Sequence, residues 1–314
     1  MKLVITGGLG HIGSRLLHEM PMLFPDAEVL ILDNLATQRY CSLFDLPAGV
    51  RYRFVETDVC KADLEPLIAD ADFVIHLAAI TDAANSFGNA ELVERVNFEG
   101  TERVARVTAA CKSKLIFLST TSVYGTQQAV VDEACPLEDL RPQSPYAASK
   151  LRAEQMLEAL GKSQGLRFVV FRFGTIFGTS IGMRFHTAIN KFCWQACLNQ
   201  PLTVWRTALN QRRPYLALTD GIRALAFAIH NDQFDNQVYN VVTTNATVGE
   251  IIETIRAFVT DVRVEHVDSA IMNQLSYHVS SAKFTALGFR FTGSVRQGIA
   301  ETIALLRNAR PNTA

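Results

Sequence analysis

The sequence carries almost no excess charge: 30 Lys and Arg stand against 31 Asp and Glu, a formal net charge of −1. No overall field therefore draws the protein to nucleic acid or to an anionic membrane surface. Long apolar runs are missing too. The opening Met1-Lys2-Leu3-Val4-Ile5-Thr6 is halted by Gly7 and Gly8, too early for a secretory core. No later run reaches the ~18 residues of a membrane span. Cysteine is scattered, at Cys41, Cys60, Cys111, Cys135, Cys193 and Cys197, with no CxxC pair. Cys193 and Cys197 stand four apart, but no second Cys/His pair lies near to complete a zinc site, so no metal is expected. Repeats, low-complexity tracts and an evident linker are absent. What remains is the expectation of a cytoplasmic protein with reduced thiols.

What is present is core material: 48% of the 314 residues are hydrophobic and 19% charged. The length suggests about two domains. Short β-branched or aromatic runs fall at residues 3–6, 29–32, 53–56, 73–76, 115–119 and 168–172. Helical patterns lie between most of them, at 12–22, 64–69, 90–111 and 145–161. Strands that are apolar throughout and alternate with helices predict a parallel sheet covered on both faces. Right-handed crossovers then give an α/β, Rossmann-type doubly wound fold. After Gly178 the rhythm changes. An irregular stretch at 181–199 runs into a helix, and a short strand follows at 203–205. Segments 215–218, 220–230 and 238–242 resume a β-α-β order. The tail from 247 holds a helix, a strand near 262–265 and a last helix from about 294.

The sharpest motif is Thr6-Gly7-Gly8-Leu9-Gly10-His11-Ile12-Gly13, between a predicted strand and a predicted helix. Gly7 permits a tight turn, Gly10 lets backbone N–H groups approach a pyrophosphate, and Gly13 allows the helix to close on the sheet. The helix N-terminus adds partial positive charge. Asp33 ends the next strand, twenty residues past Gly13. A carboxylate there accepts from ribose hydroxyls and repels a 2′-phosphate, which favours NAD over NADP. The alternative reading of Asp33-Asn34 is a plain turn signal. The expected division is an NAD-binding domain over 1–178, with 213–243 returning to it. Residues 179–212 and 244–314 form mainly a smaller C-terminal substrate-binding lobe.

Tyr146-Ala147-Ala148-Ser149-Lys150 puts a tyrosine and a lysine on one helical face. Free tyrosine has a pKa of ~10, too high for a base at neutral pH. A cation within about 4–6 Å lowers an acid's pKa by ~1–3. Lys150 and the positive nicotinamide ring would both act that way, making Tyr146 a general base for oxidising a hydroxyl and an acid for the return. The plainer alternative is a half-buried tyrosine beside a solvated lysine. Upstream, Ser119-Thr120-Thr121-Ser122-Val123-Tyr124-Gly125 supplies hydroxyls at the carboxyl end of a strand, where ligands bind in open α/β sheets. Capping and turn formation are the alternative uses of each.

Together these segments resemble the extended short-chain dehydrogenase/reductase family, in particular its NAD-dependent nucleotide-sugar epimerases and dehydratases. The matching stretches are TGGLGHIG, Asp33-Asn34, Asp58-Val59, His76-Leu77-Ala78-Ala79, Asn97 with Gly100-Thr101, STTSVYG, SPYAASK, and Arg172-Phe173-Gly174-Thr175-Ile176-Phe177-Gly178. They run in order through more than half the chain. The resemblance implies cofactor contacts from Gly7, Gly10, His11, Ile12, Asp33, Asn34, Asp58, Val59, Leu77, Ala78, Ala79, Asn97, Tyr146, Lys150 and Phe173. Asp58 and Val59 would meet the adenine, Ala78 and Ala79 the pyrophosphate and ribose, and Lys150 the nicotinamide ribose. The catalytic hydroxyl of the family lies four residues before the Tyr of VYG, here Thr120. His76 is read as structural.

The resemblance also discriminates among reactions. Hexose dehydratases of the family carry an Asp-Glu pair after the catalytic Thr, and 3,5-epimerases a reactive Cys nearby; here Thr121 and Ser122 follow. A 4-epimerase cycle is therefore expected: oxidation at C4, rotation of the 4-keto sugar, and re-reduction on the other face. A dehydratase or reductase of the same family is the first alternative, and a non-catalytic NAD-binding regulator the second. Substrate contacts are expected from Thr121, Ser122, Thr175, Asn190 and Arg213. Arg213 resembles the family's diphosphate-binding arginine, whose planar fork grips two oxygens. Thr175 stands where many members have an Asn, and the glycine turn before the arginine segment is missing. UDP is thus taken from among UDP, dTDP, GDP and CDP. Arg184 lies where uronic-acid members place an arginine for the sugar carboxylate; its alternative is a surface arginine covering a loop. His186 is either an acid/base group or a packing residue. A homodimer through the helices at 90–111 and 145–161 is implied by the family.

Overall fold

The computed structural model describes residues 1–125, 129–206, 208–268 and 276–309. In chain order the elements are β1 (Lys2–Thr6), α1 (His11–Leu23), β2 (Glu28–Asp33), β3 (Arg51–Glu56), α2 (Glu65–Ile68) and β4 (Phe73–His76). Then come α3 (Ala90–Glu94), α4 (Gly100–Ala110), β5 (Lys114–Thr120), β6 (Val130–Val131), α5 (Pro145–Gln164), β7 (Arg167–Phe173) and β8 (Thr175–Phe177). The second half holds α6 (Ala188–Cys197), β9 (Leu202–Trp205), β10 (Arg212–Ala217), α7 (Leu218–His230), β11 (Gln237–Val241) and β12 (Thr244–Thr247). It closes with α8 (Val248–Arg256), β13 (Val264–Val267), β14 (His278–Val279), α9 (Ala282–Ala286) and α10 (Val295–Leu306).

Seven strands form one sheet in the order β11-β7-β5-β4-β1-β2-β3. Every pairing in it is parallel. The central strands are buried on both faces, as their unbroken apolar sequences require. One face is covered by α1 and α7, through Leu16, Leu17, Met20, Ile222 and Leu225. The other carries α4 and α5, through Val104, Ala105, Ala153 and Leu157. The chain steps outward from β1 to β3 and then restarts at β4 on the opposite side. Such a reversal opens a crevice beyond the carboxyl ends of β1 and β4.

The long helix α5 has clear boundaries. Ser144 caps it by accepting from the Ala147 N–H at 3.2 Å, Pro145 occupies its first position, and Gly165 ends it at φ +68°. The helix predicted over 90–111 is interrupted: a π-turn at Arg95–Glu99 separates α3 from α4. Its Asn97 side chain closes two hydrogen bonds on Ile80, accepting from its N–H and donating to its C=O, both at 2.8 Å.

The smaller lobe contains the sheet β12-β10-β8 and the pair β9–β13. Helices α6, α8 and α10 enclose its core of Phe192, Cys193, Ile251, Ile252, Ile255 and Ile299. Residues 175–177 and 212–217 join this smaller sheet and not the seven-stranded one, with β10 pairing parallel with β8. The chain leaves the main sheet at Gly174, where a Cβ would lie 3.1 Å from the Pro214 oxygen. Conversely, Phe284 of α9, assigned to the lobe, packs on the main sheet's core against Phe171, Phe227 and Phe289.

Beneath the sheet's carboxyl edge lies a buried ion pair. Arg172 of β7 donates to Glu154 of α5, with Nη2 to Oε2 at 2.7 Å, and Ser119 of β5 donates its hydroxyl to Glu154 Oε1. Both ionic side chains are only 5–6% exposed. Removing one member leaves an uncompensated buried charge. Arg172→Leu is expected to lower unfolding free energy in urea by about 3–5 kcal/mol. A loss below about 1 kcal/mol would show the pair to be dispensable.

Candidate active site

The glycine loop after β1 is shaped by contacts that a side chain would block. Gly7 sits at φ +65°, and a Cβ there would lie 2.5 Å from the Ala78 nitrogen. At Gly13 a Cβ would lie 2.3 Å from the Gly8 oxygen, so only glycine lets α1 approach this closely. Gly10 is the N-cap of α1, and Ile12 lines the cavity from its first turn. The helix therefore opens onto the crevice, the arrangement that suits a pyrophosphate. Asp33, at the end of β2, accepts from the Leu9 N–H at 3.1 Å and the Leu35 N–H at 3.0 Å. Each carboxylate oxygen has about two acceptor directions, which leaves capacity for ribose hydroxyls. Asn34 is exposed and caps the Ala36 N–H at 3.1 Å. Beyond β3, Asp58 accepts from the Cys60 N–H at 3.0 Å, and Val59 is buried in the core. Leu77 and Ala79 line the cavity, while the Ala78 N–H donates to Thr6 Oγ1 at 3.3 Å. The residues present fit a dinucleotide.

A cavity of about 380 Å³ continues from this crevice into the lobe. Its wall unites Thr120, Thr121, Ser122, Tyr146, Lys150, Phe173, Thr175, Arg184 and Arg213, residues separated by up to 93 positions. Thr120 ends β5, and its Oγ1 accepts from the Ser122 N–H at 3.1 Å. The capping role and a chemical one coexist, because Thr120 also lies near enough to the Tyr146 hydroxyl to favour its ionised form. Thr121 donates to the Phe173 carbonyl at 3.4 Å. Burial raises the pKa of Tyr146, while the charge of Arg184 and the bond to Thr120 oppose that rise. Lys150, one turn along α5, is buried with Nζ 4.6 Å from the Phe117 ring centre. Burial pushes its pKa down to about 7, against the pull of Glu154. The spacing alone points to Lys150 as the cation acting on Tyr146; in the structure the charge of Arg184 also acts on that phenol.

His76 is held at both ring nitrogens, by Thr6 at 2.7 Å and Thr101 at 3.0 Å, and joins β4 to β1 and α4. Two expected contact residues lie behind the wall rather than on it. Asn97 spends its amide on Ile80, and so shapes the turn that follows Leu77–Ala79. Asn190 is fully buried; it accepts from the Gly178 N–H at 3.3 Å and donates to the Arg184 carbonyl at 3.1 Å. Sequence reasoning missed Thr81, Lys191, Trp205 and Tyr277, which all line the cavity. Tyr277 arrives there through the pairing of β14 with β6, which no local pattern announces. His186 stands at the rim, its pKa pushed down to about 4 by burial and by Arg184, so it is neutral at pH 7.

Comparison with known proteins converges on one family. The model of the NAD dependent epimerase/dehydratase family matches residues 3–241. A trifunctional UDP-glucose 4,6-dehydratase/UDP-4-keto-6-deoxy-D-glucose 3,5-epimerase/UDP-4-keto-L-rhamnose-reductase of Arabidopsis thaliana is 28% identical, over 96% of this chain and 46% of its own length. The chain thus spans about half of such relatives. Among solved structures, a UDP-glucose 4-epimerase of Thermus thermophilus in complex with NAD superposes with a TM-score of 0.83 at 26% identity, covering 98% of this chain and 100% of that one. A UDP-glucuronic acid 4-epimerase of Bacillus cereus shares the fold, with a TM-score of 0.87 at 24% identity and coverage of 98% and 100%.

Gly7→Ala is expected to weaken NAD binding about tenfold or more in calorimetric titration, because the new Cβ meets the Ala78 backbone at a φ that L-residues avoid. The far-ultraviolet spectrum should stay native. Unchanged affinity would mean the loop does not cradle the cofactor.

Proposed function

The chain belongs to the NAD dependent epimerase/dehydratase family, and from that premise we propose that it is a nucleotide-sugar 4-epimerase. One observation carries the choice of reaction. The turn after Thr120 presents Thr121 and Ser122, hydroxyls rather than carboxylates. Asp82 is the one acid lining the cavity among the described residues, and its oxygens already accept from the Ala84 and Asn85 N–H groups and the Asn85 side-chain amide. Dehydration needs a general acid and base beside C5 and C6, and the wall offers no such pair.

Bound at the glycine loop, NAD supplies the acceptor for the C4 hydride and the donor for its return. Tyr146, as the phenolate, takes the O4 proton while Thr120 hydrogen-bonds the same oxygen. After the keto sugar turns over, Tyr146 gives that proton back. The charge of Arg184 favours the phenolate, and Lys150 lines the same cavity one turn along α5. Arg213 and Lys191, which line the cavity, are assigned to the diphosphate, and Trp205, Val204 and Phe192, on the same lining, to the base. UDP is the assigned nucleotide, in keeping with the Thermus thermophilus neighbour. The protein is further taken to work in the cytoplasm as a homodimer joined through α3, α4 and α5; no helix among the described residues is long and apolar enough to cross a membrane.

Arg184 favours a uronate as the sugar. Its guanidinium lines the cavity, donates to Thr81 Oγ1, and makes no ion pair among the described residues. A half-buried cation with no carboxylate in direct contact, only the nearby charge of Asp82, suits a ligand carboxylate.

Proton NMR of the enzyme with NAD should show a new anomeric signal from UDP-glucuronate or UDP-glucose at equilibrium, with no net NADH. Tyr146→Phe is expected to lower kcat by about 10²–10⁴ while leaving NAD bound. An accumulating keto product would move the assignment to a dehydratase; full activity in the Phe variant would end it.

A further inference from the structure

The loop from Gly178 to Arg184 is fastened on two sides. Asn190 of α6 holds its two ends from the lobe. From the dinucleotide side, two residues of the first turn of α1 reach it. The Gly182 N–H donates to Ser14 Oγ at 2.9 Å, and the Arg184 N–H donates to His11 Nδ1 at 3.3 Å. Gly182 lies so close to the glycine loop that a Cβ would stand 2.4 Å from the Leu9 oxygen. His11 is 5% exposed, and burial with the nearby Arg184 and Arg39 pushes its pKa to about 3. At neutral pH the ring is uncharged and Nδ1 remains an acceptor.

We propose that His11 is a positioning residue for Arg184: with Ser14 it fastens the 178–184 loop to the first turn of the dinucleotide-binding helix, so that the cofactor loop and the cation facing the sugar form one rigid unit. The ring nitrogen Nδ1 makes this possible, since it accepts from the Arg184 N–H. A phenyl ring would fill the same space without that bond. The inference rests on the epimerase reading only for the ligand that Arg184 meets; the fastening itself is independent of substrate.

Two measurements test it on the NAD-loaded protein. Hydrogen exchange of the 178–184 segment needs no substrate. His11→Phe is expected to speed it about tenfold, Ser14→Ala to do so as well, and His11→Asn, which keeps an acceptor at the Nδ1 position, to restore most of the protection. In turnover of UDP-glucuronate, His11→Phe is expected to raise KM about tenfold, with the smaller effect on kcat. Adding it to Arg184→Ala should cost nothing more, since residues acting through one another are not additive. Unchanged exchange in both His11→Phe and Ser14→Ala overturns the proposal, as does full additivity in the cycle. If the wild type turns over no nucleotide sugar, the functional assignment falls and exchange alone decides the fastening. Should His11→Phe fail to fold, Ser14→Ala decides in the same way.

Discussion

The buried Glu154–Arg172 pair with its Ser119 donor is the constraint on which the rest of the site depends. It fixes β5, α5 and β7 to one another immediately below the cavity. One residue beyond Ser119 stands Thr120. One turn before Glu154 stands Lys150, and two turns before it Tyr146. One residue beyond Arg172 stands Phe173, which lines the cavity. A slip of any of the three elements would separate a hydroxyl, a phenol and an ammonium that must meet within hydrogen-bond reach. A buried pair is expensive to desolvate and is not the cheapest way to stabilise a core. Here it sets register, which apolar contacts do less sharply because they are non-directional.

Around that fixed point the protein uses amides to shape loops. Asn97 and Asn190 each close two hydrogen bonds on a loop, one after β4 and one before α6. The π-turn that carries Asn97 belongs with this function, since such turns re-aim a side chain within an otherwise regular helix. Charge is placed just as selectively. Arg184, Lys191, Arg213 and Lys150 line the cavity against Asp82, the one acid there among the described residues. A chain with a net charge of −1 thus concentrates its positive potential where a diphosphate and an acidic sugar would sit.

Much of this was legible in the sequence because it is local. The seven strands of the main sheet, the glycine loop, Asp33, and the Thr120, Tyr146 and Lys150 constellation follow from runs, spacings and a family resemblance carried by contiguous motifs. Non-local decisions were not legible. The apolar pattern over 90–111 cannot reveal a π-turn, because one extra residue within a helix leaves the pattern nearly intact. That β10 joins β8 instead of the main sheet depends on the close approach at Gly174. That Asn97 and Asn190 hold loops was not legible either, because sequence does not show which backbone groups an amide meets. Tyr277 had no motif around it, and its place follows from a two-residue strand pairing across the chain.

The central claim is that one hydride leaves and returns to the same sugar carbon while Tyr146 holds the proton. The most direct test follows deuterium placed at C4 of the UDP-sugar. The account predicts an epimer that retains the label at C4, with no NADH released and no exchange into solvent. Loss of deuterium to water, or its appearance in free NADH, would contradict it.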